Sequence, residues 1–433
     1  MYLRFVTIFS LLLFPLLAQE EIRVHLTTES LLSPLYLGTL QKKQSSFGEE
    51  YLQDLEKVLK FDLQYNGHTN VIAKESEKEK LLLGDLQPMT WKKMGVAYVV
   101  KGIVHDHHLT LITLSTQTGR QKSFKEIPLT GEIAQDRRQI HKLADAINQE
   151  LFSTSNFANT HILYCVQGSD KFASEIWQCD WDGKNARQVT KEHSYCVSPV
   201  FLSGNRFIYV SYKNGQPKIY IASLNEGVGK RLVDLKGNQL LPALTPSRNK
   251  LAFICDAAGR TDLFVQPFSQ DGQEMGKPIQ LFSYPRSTQA SPTFSPDGSK
   301  IAFVSDKDGP PRVYIIPVSD SGKRAEAQLI TKQNKESSCP AWSPDGTKLA
   351  YSAKTNAIRQ IWIYDFKTGE ERQLTSGPGN KENPCWAPDS LHLAFNSTDP
   401  LSSEIYLANL NQPEAIKITH GPGKKHYPTW GRK

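Results

Sequence analysis

A proline-anchored repeat fills the C-terminal two thirds of the chain and restricts the possible folds more than any other feature. A unit of proline, a variable residue and usually a large apolar residue recurs six times, at intervals of 43 to 50 residues. The six units begin at Pro199, Pro242, Pro292, Pro340, Pro384 and Pro428. Self-similarity at a period of this length is the signature of a repeat architecture, so we expect six equivalent structural units.

Each unit contains four short stretches with the composition of β-strands. The proline stretch ends in a turn such as residues 343–346, where proline and glycine supply the backbone angles of a tight turn. In the same unit, β-rich runs at residues 349–353 and 361–363 follow, and the weaker run 372–375 closes the unit. Four strands in about 45 residues are typical of one blade of a β-propeller.

The two ends of the repeat region carry incomplete units. Three runs between residues 162 and 190 supply the second, third and fourth strands of a blade, whereas residues 427–431 supply a first strand alone. We therefore predict an all-β six-bladed propeller over residues 161–433, closed by the C-terminal strand, with a proline opening each innermost strand. Closure removes the open sheet edges that an alternative β-solenoid or sandwich would expose.

The N-terminal third combines strand and helix periodicity and predicts a separate small α/β domain. Residues 22–26 have strand composition, and apolar residues with helical spacing follow at 51–59 and again at 133–151. We assign residues 19–152 to this domain and the short polar segment 153–160 to a linker.

The first 18 residues predict an export signal. Arg4 precedes the apolar run 5–17, which is shorter than the ~20 residues of a spanning helix, and the small residue Ala18 follows. No cysteine stands at the predicted cleavage point to carry a lipid. We expect residues 1–18 to be a cleaved signal peptide, and the mature chain to be periplasmic and not embedded in a membrane.

The charge balance argues against a nucleic-acid partner. Lys and Arg number 51 against 44 Asp and Glu, a net charge of +7, and no block of five basic residues occurs. The six cysteines, none in a C-x-x-C pair, are interpreted as small buried side chains, with disulfides as the alternative in an oxidising compartment.

Motif searches give no sign of catalysis. G-x-S-x-G, P-loop and H-E-x-x-H patterns are absent from the sequence. The histidine-rich residues 105–108 fit a solvated hairpin turn better than a metal site, and His420 and His426 lack an acidic partner in their motif. We expect no catalytic residues, no metal and no cofactor.

The order of these features resembles the TolB family, the periplasmic components of the Tol-Pal envelope system. The resemblance rests on the leading signal, the segment WKKMGVAYVVKG at residues 91–102, and six blades of P-x-[FW]-S-P-D-G type. The blades at Pro199 and Pro242 depart from this pattern, because they lack the Asp-Gly turn.

The resemblance implies a non-enzymatic adaptor. Such a protein binds the outer-membrane lipoprotein Pal through the propeller and the inner-membrane protein TolA through the N-terminal region, and it supports outer-membrane integrity and cell division. We expect a monomer. The alternative function is a secreted propeller hydrolase or lyase with a channel-facing site, since hydrolases similar to prolyl oligopeptidase use the same blade turn.

The loops that join the outermost strand of one blade to the innermost strand of the next predict a binding site. These loops gather at one mouth of a propeller channel, are long and polar here, and suit recognition because they stand on a rigid rim. The predicted partner-binding residues are Arg286, Ser287, Thr288, Ser337, Ser338, Lys381, Glu382 and His426. A positive potential for an acidic partner is expected from Arg286, Lys335, Lys381, Lys424 and Lys425. Solvated connectors without a role are the alternative.

Overall fold

A computed structural model describes residues 22–25, 32–154, 157–269, 275–319 and 326–431 of the chain. The predicted signal peptide, residues 1–18, lies outside the described residues, as do Ser155 and Asn156 of the predicted linker.

The N-terminal domain is a mixed sheet with helices packed against it, as the sequence predicts. Helices α1 (Glu49–Gln64), α2 (Ser76–Leu81), α3 (Pro88–Lys93) and α4 (Ile133–Phe152) belong to this domain. The strands lie in the order Thr69–Val71, Ser33–Leu37, Tyr98–His105, His108–Ser115 and Gln121–Pro128, with Gln41–Lys43 also paired to Tyr98–His105. Both long helices bury one apolar face, which is the amphipathic pattern expected of helices on a sheet.

Six four-stranded antiparallel sheets follow within the described residues, and they form the six predicted blades. Blade 1 consists of Lys424–Gly431, His161–Gln167, Ser174–Asp180 and Arg187–Gln188, and blade 2 of Cys196–Phe201, Arg206–Ser211, Lys218–Ser223 and Lys230–Arg231. Blade 3 consists of Gln239–Leu244, Lys250–Cys255, Asp262–Pro267 and Ile279–Phe282, and blade 4 of Gln289–Phe294, Lys300–Ser305, Arg312–Pro317 and Gln328–Leu329. Blade 5 consists of Ser337–Trp342, Lys348–Thr355, Ile358–Asp365 and Glu371–Gln373, and blade 6 of Asn380–Trp386, His392–Thr398, Ser403–Asn409 and Ile416–Lys417.

The C-terminal strand closes the ring, as predicted. Lys424–Gly431 pairs antiparallel with His161–Gln167 and is the innermost strand of blade 1. The two ends of the repeat region are thereby hydrogen-bonded to each other.

The anchor prolines occupy a different place from the one predicted. Each is the fourth or fifth residue of its innermost strand, and the pairing register of all six strands shifts around it. Proline has no N–H to donate, so a strand interior tolerates it at a bulge, where the ladder is already interrupted.

The N-terminal strand also departs from the prediction. Arg23–Val24 pairs with Thr375–Ser376 of the propeller instead of joining the α/β sheet. Ile22 and Val24 are buried in the apolar core between blades 5 and 6. Sequence periodicity identified the strand but carried no information about which sheet it joins.

The two domains share one apolar core. Leu55 and Leu59 of α1 and Ile140 of α4 belong to the same buried cluster as Trp181 of blade 1 and Ile418 of blade 6. Helix α4 also anchors the end of the linker, because the Asp145 carboxylate accepts the backbone N–H groups of residues 157, 158 and 159 at 2.9, 2.8 and 3.0 Å.

All six cysteines are free thiols in the structure. Four of them, Cys165, Cys179, Cys196 and Cys255, are buried, and Cys339 and Cys385 are half-buried. In the part of the chain that the structure describes, none of the helices has the length and hydropathy required to cross a bilayer.

Candidate functional site

The innermost strands of all six blades meet around a cavity of about 200 Å³ at one mouth of the channel. The residue directly before each anchor proline lines this cavity. The six residues, here called the mouth ring, are Ser198, Leu241, Ser291, Cys339, Asn383 and Tyr427.

Every member of the mouth ring has a left-handed backbone. Their φ angles lie between 47° and 53°, although none is a glycine. This conformation costs roughly 1–2 kcal/mol for an L-residue, so the surrounding sheet has to impose it. The β-bulge at the following proline imposes this left-handed conformation. In each blade the bulge thereby directs one side chain away from the direction it would have in a regular strand.

Buried acidic residues hold the loops behind the mouth ring in place. The Glu192 carboxylate, whose side chain is fully buried, accepts hydrogen bonds from Ser211 at 2.6 Å, Lys213 at 2.7 Å and the backbone N–H of Gly229 at 3.0 Å. Burial alone would raise the pKa of Glu192, but the bonds from Lys213, Ser211 and Tyr209 outweigh it and the pKa is lowered. The loop at residues 193–195, which leads into the innermost strand of blade 2, therefore starts from a rigid ionised anchor.

Glu371 has the same function at another loop. Its carboxylate accepts the backbone N–H groups of Lys332 and Gln333 at 2.7 and 3.0 Å and the hydroxyl of Tyr351 at 2.6 Å. The residues that follow, 334–336, lead directly into the innermost strand of blade 5.

Two of the lysines predicted to give the mouth an accessible positive charge are buried. The Lys381 ammonium donates to the carbonyls of Gly377, Pro378 and Gly379, and desolvation lowers its pKa to about 8. Lys425 pairs with Glu404 at 3.1 Å and is 3% exposed. The prediction is wrong for these two residues, because each folds back to satisfy the carbonyls of its own loop.

Arg286 and Lys335 are exposed, and Lys424 is half-buried. The accessible positive charge that was predicted is therefore confined to these three side chains.

Ser338 and Glu382, both predicted site residues, are brought together by an arginine that the sequence analysis did not single out. Arg359 donates to Ser338 Oγ at 3.1 Å, and its Nε lies 3.5 Å from Glu382 Oε1. This half-buried cluster links the innermost strands of blades 5 and 6 beside the mouth ring. Arg359 lies on the third strand of its blade, and only the folded sheet reveals its position.

Two of the other predicted residues are internal. Ser287 and Ser337 are buried and donate to the carbonyls of Tyr284 and Asn334, at 3.2 and 3.4 Å. Both stabilise their own loops.

Thr288 is exposed, and both its N–H and its hydroxyl bond to Asp306. His426 is half-buried beside Ser403, and desolvation, followed by the charge of Lys424, lowers its pKa. A neutral imidazole is thus present beside the ring at neutral pH.

The N-terminal domain packs on the end of the propeller opposite the mouth. His392 Nε2 lies 2.6 Å from the Tyr65 carbonyl, and Asn411 donates to the Gly67 carbonyl at 2.9 Å. His392 follows the turn after the innermost strand of blade 6, and Asn411 lies in the turn after its third strand. In an antiparallel blade both turns lie at the end opposite the start of the innermost strand, so these contacts of the domain lie away from the mouth.

These features define a class: a two-domain protein in which a six-bladed propeller, closed by its own C-terminal strand, presents a rigid mouth opposite an α/β domain. A sequence profile of the TolB beta propeller domain matches residues 149–327 and 324–433. The chain is 49% identical over 406 residues to the protein TolB homolog of Protochlamydia amoebophila, covering 88% of this chain and 86% of that protein. It is 42% identical over 311 residues to the homolog of Chlamydia felis, covering 70% and 72%.

The fold also matches a solved structure. The crystal structure of TolB from Acinetobacter baumannii superposes with a TM-score of 0.77 at 18% identity, covering 96% of this chain and all of that one (100%). The chain belongs to the TolB family, and the resemblance deduced from the sequence is confirmed.

Proposed function

We propose that this protein is a non-enzymatic periplasmic adaptor of the Tol-Pal system, which binds a Pal-like outer-membrane lipoprotein through the channel mouth. A TolA-like inner-membrane protein binds the N-terminal region. By joining the two, the adaptor supports outer-membrane integrity and cell division. Family membership supports the general assignment.

The mouth ring is the single observation that carries the choice of site. Six side chains are held by an imposed backbone conformation on the innermost strands, and buried carboxylates anchor the loops that precede two of these strands. A preorganised surface loses little conformational freedom when a partner binds, so more of the contact energy appears as affinity. The other end of the channel is occupied in part by the N-terminal domain.

Reversing or adding charge at the mouth is expected to weaken binding of the soluble domain of the Pal-like lipoprotein. Arg286→Glu converts an exposed cation, and Ser338→Glu places a carboxylate beside Glu382 and withdraws the Arg359 bond. We expect each variant to lower affinity at least about tenfold in calorimetry, with the larger salt dependence in Arg286→Glu.

Lys300→Glu is the matched control for this experiment. Lys300 is also exposed, undergoes the same charge reversal as Arg286, and stands at the start of the second strand of blade 4, away from the mouth. Its affinity should equal that of the wild type. Wild-type affinity in both mouth variants, with unchanged melting curves, would place the lipoprotein site elsewhere.

The N-terminal region is proposed to bind the TolA-like protein. Its attachment to the propeller supports this, because Val24 N–H donates to the Pro413 carbonyl at 2.7 Å and His25 N–H to the Leu374 carbonyl at 2.6 Å, while the strand is only two residues long. Main-chain bonds of this kind can be exchanged for those of a partner strand.

Deleting residues 19–25 is expected to abolish binding of the TolA-like protein and to preserve binding of the Pal-like one. TolA-like binding that survives the deletion would contradict the assignment to this segment.

The chain purified from the periplasm should begin near Gln19 or Glu20, because residues 1–18 are proposed to be removed on export. Measurement of the intact mass checks this prediction.

A further inference from the structure

A buried cluster of titratable side chains lies where the N-terminal domain contacts blade 1. Asp62 comes from α1 and His141 from α4, whereas Asp180 and Asp182 stand at the end of the third strand of the blade and just beyond it. The exposed fractions of these four residues are 0%, 2%, 8% and 9%. The cluster thus spans both domains and is almost closed to solvent.

The imidazole of His141 is held with one nitrogen unused. Its Nδ1 lies 2.8 Å from Asp62 Oδ2, and Trp181 Nε1 donates to the other oxygen of that carboxylate at 2.8 Å. Among the described residues no group hydrogen-bonds to His141 Nε2, and Asp180 Oδ2 is 3.9 Å from it. A carboxylate that fixes Nδ1 and leaves Nε2 free is the arrangement that orients a metal-binding histidine.

The charges in this cluster do not balance when the imidazoles are neutral. Arg137 forms ion pairs with both Asp180 and Asp182, and His161 Nδ1 lies 3.3 Å from Asp180 Oδ1. Three carboxylates, counting Asp62, then oppose one guanidinium, and buried charge of this kind requires compensation. The two excess negative charges can be balanced by one divalent cation, or by one proton on each of the two imidazoles.

We propose that His141 Nε2, Asp180 and Asp182 bind one divalent transition-metal ion of the Zn²⁺ type. Their ligand atoms all lie within 4.8 Å of one another. An ion bonded at about 2.0–2.1 Å would bring neighbouring donors to about 3.4 Å, a small rotation from the 3.9 Å that now separates His141 and Asp180. Arg137 and Asn185 both donate to Asp180 Oδ2, so one of these two donors gives up its hydrogen bond when the ion binds that oxygen. Ca²⁺ and Mg²⁺ fit poorly, because they require more oxygen ligands.

A neighbouring cavity gives the ion a route to the site. It has a volume of about 310 Å³, lies between the two domains, and includes Arg137, Asp182 and His420 in its wall. Three lysines also line this cavity, and their positive charge does not attract a cation. The ion is therefore held by direct bonds to the lone pairs of His141, Asp180 and Asp182. An ion with one ligand on α4 and two on blade 1 fastens the N-terminal domain to the propeller.

Zn²⁺ titration of the tag-free, chelator-treated full chain tests the proposal. We expect one ion per chain by calorimetry, a melting temperature raised by several degrees with Zn²⁺ and not with Mg²⁺ or Ca²⁺, and a visible absorption band when Co²⁺ replaces Zn²⁺. Asp182→Asn keeps an acceptor for Arg137 but weakens a ligand, so Zn²⁺ affinity should fall at least about tenfold.

Asp106→Asn is the matched control, since Asp106 lies in the exposed turn beside His105, His107 and His108. It should bind Zn²⁺ like the wild type. Absence of stoichiometric binding, or binding lost in Asp106→Asn and retained in Asp182→Asn, would overturn the proposal. If Asp182→Asn does not fold, the Co²⁺ band of Asp106→Asn decides: a band of wild-type intensity supports an ion bound between the two domains, and loss of the band in this variant, or its absence from the wild type, overturns the proposal.

Discussion

Removal of residues 427–433 is expected to abolish the stable propeller. The deletion takes away most of the strand that pairs with His161–Gln167, and with it Trp430, which is 8% exposed and donates to Thr160 Oγ1 at 2.6 Å. Trp430→Ala alone should cost about 3–5 kcal/mol of unfolding free energy, the usual range for a buried aromatic residue. The full deletion also leaves a ladder of strand hydrogen bonds unmade, so we expect an unfolded or aggregated chain.

Deletion of only the last two residues, Arg432 and Lys433, is the matched control. These residues follow Gly431, the last residue of the closing strand, and their loss should leave the melting temperature unchanged. Circular dichroism and calorimetry distinguish the two truncations. A melting temperature equal to that of the wild type after removal of residues 427–433 would be incompatible with closure by this strand.

Glu192→Gln is expected to destabilise the protein by about 3 kcal/mol. This value is the lower end of the range for breaking a buried ion pair, because Lys213 retains 21% side-chain exposure and part of its hydration. The substitution leaves Lys213 without its countercharge and places an amide where Ser211 and Gly229 donate hydrogen bonds. Since the loop 193–195 begins next to this anchor and leads to Ser198 of the mouth ring, affinity for the Pal-like protein should fall as well.

The destabilisation should depend on pH in a defined direction. The pKa of Glu192 is lower in the folded protein than its ordinary value of about 4.3, so the stabilisation is complete above that value. It is lost as the pH falls through the lower folded pKa. The difference in unfolding free energy between wild type and Glu192→Gln should therefore shrink below about pH 4.

Urea titrations at several pH values measure this difference. Glu226→Gln, at an exposed glutamate in a turn of blade 2, is the control and should match the wild type throughout. A constant gap between wild type and Glu192→Gln down to pH 2 would rule out Glu192 as an ionised anchor.

The fold was predictable to the level of individual strands because the repeat supplies the same information six times. The strand pattern assigned in one Pro-anchored unit recurs in the other units. The unmatched strands at the two ends of the repeat region required that the propeller ring be closed by pairing them. The prediction failed where no repetition exists. Arg23–Val24 has strand composition in either sheet, and only the apolar groove between blades 5 and 6 determines its partner.

The sequence led to a proposed location for the candidate site, whereas the arrangement of its side chains required the fold. The sequence identified the loops, but it does not show whether a lysine points into solvent or binds the backbone carbonyls of its own loop. Lys381 and Lys425 are of the second kind, and the glycine and proline residues before Lys381 expose the carbonyls that capture it. Arg359 was missed because its importance comes from a contact between blades.

The mouth ring separates the shape of the site from its chemistry. Serine, leucine, cysteine, asparagine and tyrosine all adopt one backbone conformation there, so the conformation belongs to the blade and not to the side chain. A single substitution at Leu241 can therefore alter what the mouth recognises without changing the backbone around it. Cys339 and Asn383 are coupled, because the Cys339 thiol donates to Asn383 Oδ1 at 3.2 Å, and these two positions are expected to change together when the partner changes.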